Sequence, residues 1–269
     1  MTVILPHASA ATLLPSERHP AARPARPARP VPPAPLSPAL SKLLARLPVQ
    51  DDGEALRQSL FHSGTHFNPD LLTSEAERRA RLEGVHAALD RAESLVFLDT
   101  ESTGGRNGRL IEVALVETDV EQNVTGGLHF RCNPHRRSLA GARRVHGIQD
   151  CELEHCPEFA ARADELLEAV RGKTVVIHDR TMDLLWLNRE LQAARPGAPR
   201  FEDRCTVVDS FVLARAIPSE RRRNGLDALL EWYGLGARGG HHDAYGDAAL
   251  LSRVFFELWW DLDEWLYGE

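Results

Sequence analysis

The chain has 269 residues, 43% of them hydrophobic and 26% charged, with a formal net charge of −7. That length and composition can bury one sizeable core, while the acidic balance excludes a generic nucleic-acid binder unless bound metal and local basic loops reverse the field at a site. No run of about 18 apolar residues offers a membrane partner, no basic residue precedes the first apolar cluster as a secretory signal requires, and four scattered cysteines point to a reducing, cytoplasmic setting.

The chain divides by texture. Residues 1–50 carry six Lys or Arg against one acid and eleven of the 17 prolines, and Ala22–Pro30 reads ARPARPARP. Such a repeat favours extended polyproline II and cannot build a core, so residues 1–37 are expected to form a disordered basic tail, either a linker or an arm that meets nucleic acid or a partner. Residues 38–92 read as a helical extension, with short helices over Ser41–Leu47 and Asp52–Phe61 and a longer charged helix over Ser74–Ala92. Residues 93–269 form the main unit. Its first strand is the apolar run Leu95–Leu98. Arg109–Thr118 and Val124–Phe130 follow as an antiparallel meander joined by short Gly- and Asn-containing turns. A helix is expected over Pro157–Val170, a strand over Thr174–Ile177, a helix over Thr181–Ala193 and a strand over Cys205–Asp209, with helices near Ser210, Leu226 and Ala244. Meander followed by alternation predicts an α/β fold, a mixed β-sheet with helices on both faces.

Two acids, Asp99 and Glu101, close the first strand and point to the same side of it. Crowded carboxylates at the end of a buried strand repel and lose hydration, and without a cation one takes up a proton. A solvated polar turn is the plain alternative. Asp183 shares a helical stripe with Trp186, Leu187 and Leu191, and Asp247 with Leu250, Leu251, Val254 and Leu258, so both acids continue core-facing stripes. Each could cap its helix, but four converging carboxylates point to a divalent cation held by hard oxygen ligands, Mg²⁺ or Mn²⁺. His242 precedes Asp247 by an offset of about 140° on an ideal helix. It is therefore expected in the approach to that helix, after Gly239 and Gly240, where it suits a proton shuttle. Cys151 and Cys156, near His146 and His155, match no usual zinc spacing.

These residues carry a resemblance. Asp99-Thr100-Glu101-Ser102-Thr103-Gly104, then His178-Asp179-Arg180-Thr181-Met182-Asp183, then His242-Asp243-Ala244-Tyr245-Gly246-Asp247 resemble the three motifs of the histidine-containing (DEDDh, DnaQ-like) branch of the DEDD 3′–5′ exonucleases. Val145-His146-Gly147-Ile148 and Asn224-Gly225-Leu226-Asp227-Ala228-Leu229 resemble stretches of its epsilon-like members. The resemblance implies an RNase H-like fold and two Mg²⁺ or Mn²⁺ ions. Asp99 would bridge the ions, with Glu101, Asp183 and Asp247 completing their coordination and His242 as general base. Thr100, Ser102, Thr103, Gly104, His146, His178 and Asn224 would contact a single-stranded 3′ end, with Thr103 and its neighbours holding the terminal sugar, and the product would be a nucleoside 5′-monophosphate. DNA is the expected substrate, with RNA trimming or a non-catalytic interaction module as alternatives. Arg57-Gln58-Ser59-Leu60-Phe61 faintly resembles a sliding-clamp docking peptide, which with the epsilon-like motifs would imply a clamp or DNA polymerase partner. Its leading position does not fit. The aromatic residues Phe255, Phe256, Trp259, Trp260 and Trp265 would serve a homodimer or partner face, or else the core. Gly105 stands where many relatives carry a bulky apolar residue, and Asp179 and Met182 depart from the usual second motif.

Overall fold

The computed structural model describes residues 74–268. The tail, the two short helices of the extension and the clamp-like pentapeptide all lie outside the described residues. The elements are α1 (Glu75–Asp90), β1 (Ser94–Ser102), β2 (Leu110–Asp119), β3 (Val124–Arg131), α2 (Ala140–His146), α3 (Asp150–Leu153), α4 (Ala163–Ala169), β4 (Thr174–Ile177), α5 (Thr181–Ala194), β5 (Thr206–Asp209), α6 (Ser210–Ala216), α7 (Leu226–Tyr233) and α8 (Ala244–Tyr267). The strands form one sheet in the order β3-β2-β1-β4-β5. β1–β2 and β2–β3 pair antiparallel, while β1–β4 and β4–β5 pair parallel. This is the RNase H-like mixed sheet that the strand pattern and the resemblance imply.

The sheet separates two cores because its side chains alternate. Leu95, Phe97, Val116, Val176 and Val208 pack beneath α1, α6, α7 and α8. Val96, Leu98, Val113, Leu115, Val175 and Val207 pack on the other side, against α4 and α5. Helices therefore cover both faces. Ser74, read as the first residue of α1, is its N-cap and accepts a hydrogen bond from the Glu77 N–H at 3.2 Å. Leu82, Val85 and Leu89 of α1 join the core under α8.

Two expectations need correction. The single helix over Pro157–Val170 is a 3₁₀ turn at Phe159–Ala161 followed by α4. The chain tightens where Phe159 packs near Phe130, their ring centroids 6.3 Å apart, and Arg162 lies over the Phe130 ring. Of the C-terminal aromatic residues, Phe255, Phe256, Trp259 and Trp265 follow the core reading rather than the free face. Phe255 and Phe256 are buried, Trp259 stacks on Phe256, and Trp265 packs against the same cluster. Among the described residues no helix is long and apolar enough to cross a membrane.

Candidate active site

β1 serves two layers, and the site follows from that. Asp99 and Glu101 prolong the Leu95–Phe97 stripe toward α8, whereas Thr100 prolongs the Val96–Leu98 stripe toward α5. Asp247 meets the first pair from α8, above the buried Leu251, Val254 and Leu258. Asp183 arrives from the first turn of α5, ahead of the buried Leu187 and Leu191. Thr100 Oγ1 donates to Asp183 Oδ1 at 2.6 Å, joining the two layers at the end of the strand.

The acids are strained electrostatically. Asp99 is held well above the ordinary carboxylate range by burial, then by Asp183, Asp247 and Glu101. Glu101 is pushed up to about 8 by burial, then by Asp247, Glu112 and Asp183. Burial raises Asp183 to about 7 despite the Thr100 hydrogen bond, and burial raises Asp247 to about 6. Donor atoms of Glu101, His242 and Asp247 all lie within 4.8 Å of one another. A hard divalent cation is what such a set of carboxylates fits: it would relieve the repulsion and be held by their oxygens, with the imidazole beside it.

His242 lies just before α8, whose N-cap is Asp243, as its offset from Asp247 predicts. Its N–H donates to Val145 O at 2.9 Å, and its Nδ1 lies 3.3 Å from Asp247 Oδ2. The neighbouring His241 ring covers Gly147, where an added Cβ would come within 2.6 Å of the ring and where φ is +71°. The Val145–Ile148 segment thus seats the approach to α8. Burial, then Arg238, holds the His242 imidazole below its ordinary value.

The other expected residues divide. Gly104 N–H donates to Ser102 Oγ at 3.1 Å in the turn after β1. Thr103 is wholly buried. Its N–H donates to Arg109 O at 2.9 Å, its carbonyl accepts from Leu139 N–H at 2.8 Å and its Oγ1 accepts from Arg109 N–H at 3.0 Å. These three groups hold the loop after β1. His146 is buried, and its Nδ1 accepts from Ile148 N–H at 3.0 Å. His178 Nδ1 lies 2.9 Å from Ser210 Oγ, and burial holds this imidazole down at about 4. His146 Nε2, His178 Nε2 and Asn224 Oδ1 are buried without a hydrogen-bond partner. Asp179 adopts φ +56°, a conformation that aspartate tolerates, and its N–H donates to Asp209 Oδ1 at 3.2 Å.

Three residues absent from the sequence reading support this site. Glu112 stands opposite Glu101 on β2 and accepts from Ala244 N–H at 3.0 Å, Arg131 Nε at 2.8 Å and His129 Nε2 at 3.1 Å. Burial alone would raise its pKa, but these bonds outweigh it and hold the carboxyl at about 2. Glu190 of α5 takes both Arg109 Nε at 2.5 Å and Arg109 Nη2 at 2.8 Å, bracing the loop before β2. Arg238 donates from Nη1 to His242 Nδ1 at 2.5 Å and to Asp247 Oδ2, and from Nε to Asp227 Oδ1 at 3.0 Å. Acids that interrupt the apolar runs of β2 and α5 are the signal for Glu112 and Glu190. Arg238 has only its place among glycines.

Comparison with known proteins identifies the family. Residues 96–255 match the sequence model of the family RNase_T, described as exonuclease. The DNA polymerase III subunit epsilon of Rickettsia felis (strain ATCC VR-1525 / URRWXCal2) is 34% identical over 168 residues, covering 61% of this chain and 72% of that protein. Its counterpart from Escherichia coli (strain K12) is 33% identical over 172 residues, covering 61% and 70%. Among solved structures, E. coli exonuclease I in complex with a dA16 oligonucleotide matches with a TM-score of 0.50 at 20% identity, over 62% of this chain and 42% of that one, a likeness of fold alone. The chain belongs to the exonuclease family, as a DnaQ-like DEDD 3′–5′ exonuclease.

Proposed function

We propose that the chain hydrolyses the terminal phosphodiester at 3′ ends of single-stranded DNA and releases nucleoside 5′-monophosphates, using two Mg²⁺ or Mn²⁺ ions and His242 as general base. The observation that carries this reading is the crowding of acids from β1, α5 and α8: Glu101, Asp247 and His242 bring donor atoms within 4.8 Å of one another, and Asp99 is repelled by Asp183, Asp247 and Glu101 alike. The family implies divalent metal. Asp99, raised by all three other acids, would hold the metal together with Glu101, Asp183 and Asp247. When bound, the ions supply an activated water and balance the charge on the phosphorus centre and the leaving 3′-oxygen. The chain's own part is positional and protolytic. Thr100 orients Asp183, Glu112 fixes the start of α8, and His242, kept neutral by burial, takes the proton of the attacking water.

Substrate access has its own support. Arg136, Arg137 and Arg144 are exposed on the segment that packs on the Thr103 loop, where they would draw a polyanion to an otherwise acidic body. His178 Nε2 and Asn224 Oδ1, unpartnered and buried, remain polar groups for the terminal nucleotide. DNA is favoured over RNA by the likeness to the DNA polymerase III epsilon subunits. The test is degradation of matched single-stranded DNA and RNA oligonucleotides, with wild type and Asp99→Asn. Asparagine removes a ligand charge while nearly preserving shape, so turnover should fall by roughly three or more orders of magnitude. Undiminished cleavage in that variant, or in excess EDTA, would sink the mechanism. Faster turnover of RNA would reassign the substrate.

A further inference from the structure

Arg238 occupies the groups that the proposed reaction needs free. Its Nη1 donates to Asp247 Oδ2 and, at 2.5 Å, to His242 Nδ1. A guanidinium has donors and no acceptor, so Nδ1 must be the accepting nitrogen and the ring proton sits on Nε2. The imidazole lone pair is therefore occupied, and so is an oxygen of a proposed metal ligand. Arg238 is also the cation that pulls Asp99, Glu101 and Asp247 down against their burial and mutual repulsion. Its side chain is only 13% exposed, so its charge acts with little solvent screening.

We propose that Arg238 is a placeholder cation: in the metal-free protein it plugs the site by holding Asp247 and His242, and metal loading must displace it. The inference rests on the reading of Asp247 as a metal ligand and His242 as base. A guanidinium donating to Asp247 Oδ2 competes with a divalent ion for that carboxylate, because like charges in a partly buried site repel strongly. The structure also provides a place to go. Nε is held by Asp227, whose side chain is 70% exposed, so a rotation that withdraws Nη1 from the acids leaves the outer ion pair in place. The segment carrying Arg238 runs between Gly236 (φ +89°) and Gly240 (φ +60°), where an added Cβ would meet nothing within 4 Å, so there is open space beside the glycines at both ends. Displacement would then do two things together: expose Asp247 to the metal and release the His242 lone pair for a proton.

Metal affinity of the stripped full-length chain tests this without relying on activity. Mn²⁺ binding is followed by the electron paramagnetic resonance signal of the free ion, at about pH 8 so that a proton does not simply take the arginine's place. Arg238→Gln should bind Mn²⁺ about tenfold more tightly than wild type, because the resident competitor is gone. Arg238→Lys, which keeps a cation, should fall between them. The metal-free Arg238→Gln protein should also melt at a lower temperature than wild type, with a larger rise on adding Mn²⁺. Asp247→Asn should bind weakly whichever residue stands at 238. Equal or weaker Mn²⁺ binding by Arg238→Gln, alongside tight binding by wild type, overturns the placeholder while leaving the metal site standing. Failure of the wild type itself to bind Mn²⁺ overturns both.

Discussion

His242 is held neutral by its surroundings, and that sets its expected behaviour in solution. Burial is the largest cause that pushes its pKa below the ordinary value of 6.5, and it persists once Arg238 has withdrawn. A general base works only while unprotonated, so the acidic limb of the rate–pH profile should lie below the usual histidine range. His242→Ala should lower kcat by roughly 10²–10⁴ with little change in KM, and should flatten that limb. A variant with ordinary kcat and a raised KM would make His242 a positioning residue instead. Asp183 and Asp247 were legible in the sequence because each interrupts an apolar stripe at helical spacing, and the Asp99–Glu101 pair because period-two alternation puts both on one face. Glu112 and Glu190 interrupt apolar stretches in the same way, yet nothing local names their partners. The β2–β3 register brings Arg131 to Glu112, and the packing of α5 brings Arg109 to Glu190. Arg238 has no periodicity at all, and its destination depends on the tertiary path of its loop.

At the scale of elements, the N-terminus of α8 is the joint on which the site turns. Glu112 reaches across from β2 and accepts the Ala244 N–H, so a charge inside the sheet fixes the helix that carries Asp247. Its carboxyl sits at about 2 against an ordinary 4.5. A depressed acid contributes stability that is fully present above the ordinary value and lost as pH falls through the folded one. Glu112→Gln should therefore destabilise the protein by about 2 kcal/mol near neutral pH, with the difference closing toward about pH 2 as the wild-type carboxyl takes up its proton. Thermal melts across that range check it, and a gap independent of pH would mean that Glu112 acts through shape rather than charge. α5 and the helix start at Ala244 were legible because their apolar periods are sustained, and β4, though only four residues long, because it is an unbroken β-branched run. The short helices α2 and α3 were not. They are seven and four residues long, too brief to carry a period, and they are held by contacts that sequence spacing does not show, such as Val145 O with the His242 N–H.

Across the whole molecule, the site is assembled from elements far apart in the chain. β1 brings Asp99 and Glu101 early, α5 brings Asp183 midway, and α8 brings Asp247 last while also covering the β1–β2 face of the sheet. A ribosome makes the chain in that order, and domains fold as units once their parts are available. Before α8 emerges, Leu95, Phe97 and Val116 lack the partners that cover them, and the catalytic set lacks its final ligand. A ribosome-arrested chain ending before Ala244 should therefore show no cooperative melting and no metal-dependent cleavage, whereas a live truncated chain would refute this. An unfinished copy would thus stay without its last proposed ligand throughout its own synthesis, and would leave the nucleic acid around it uncut until the last long helix docks.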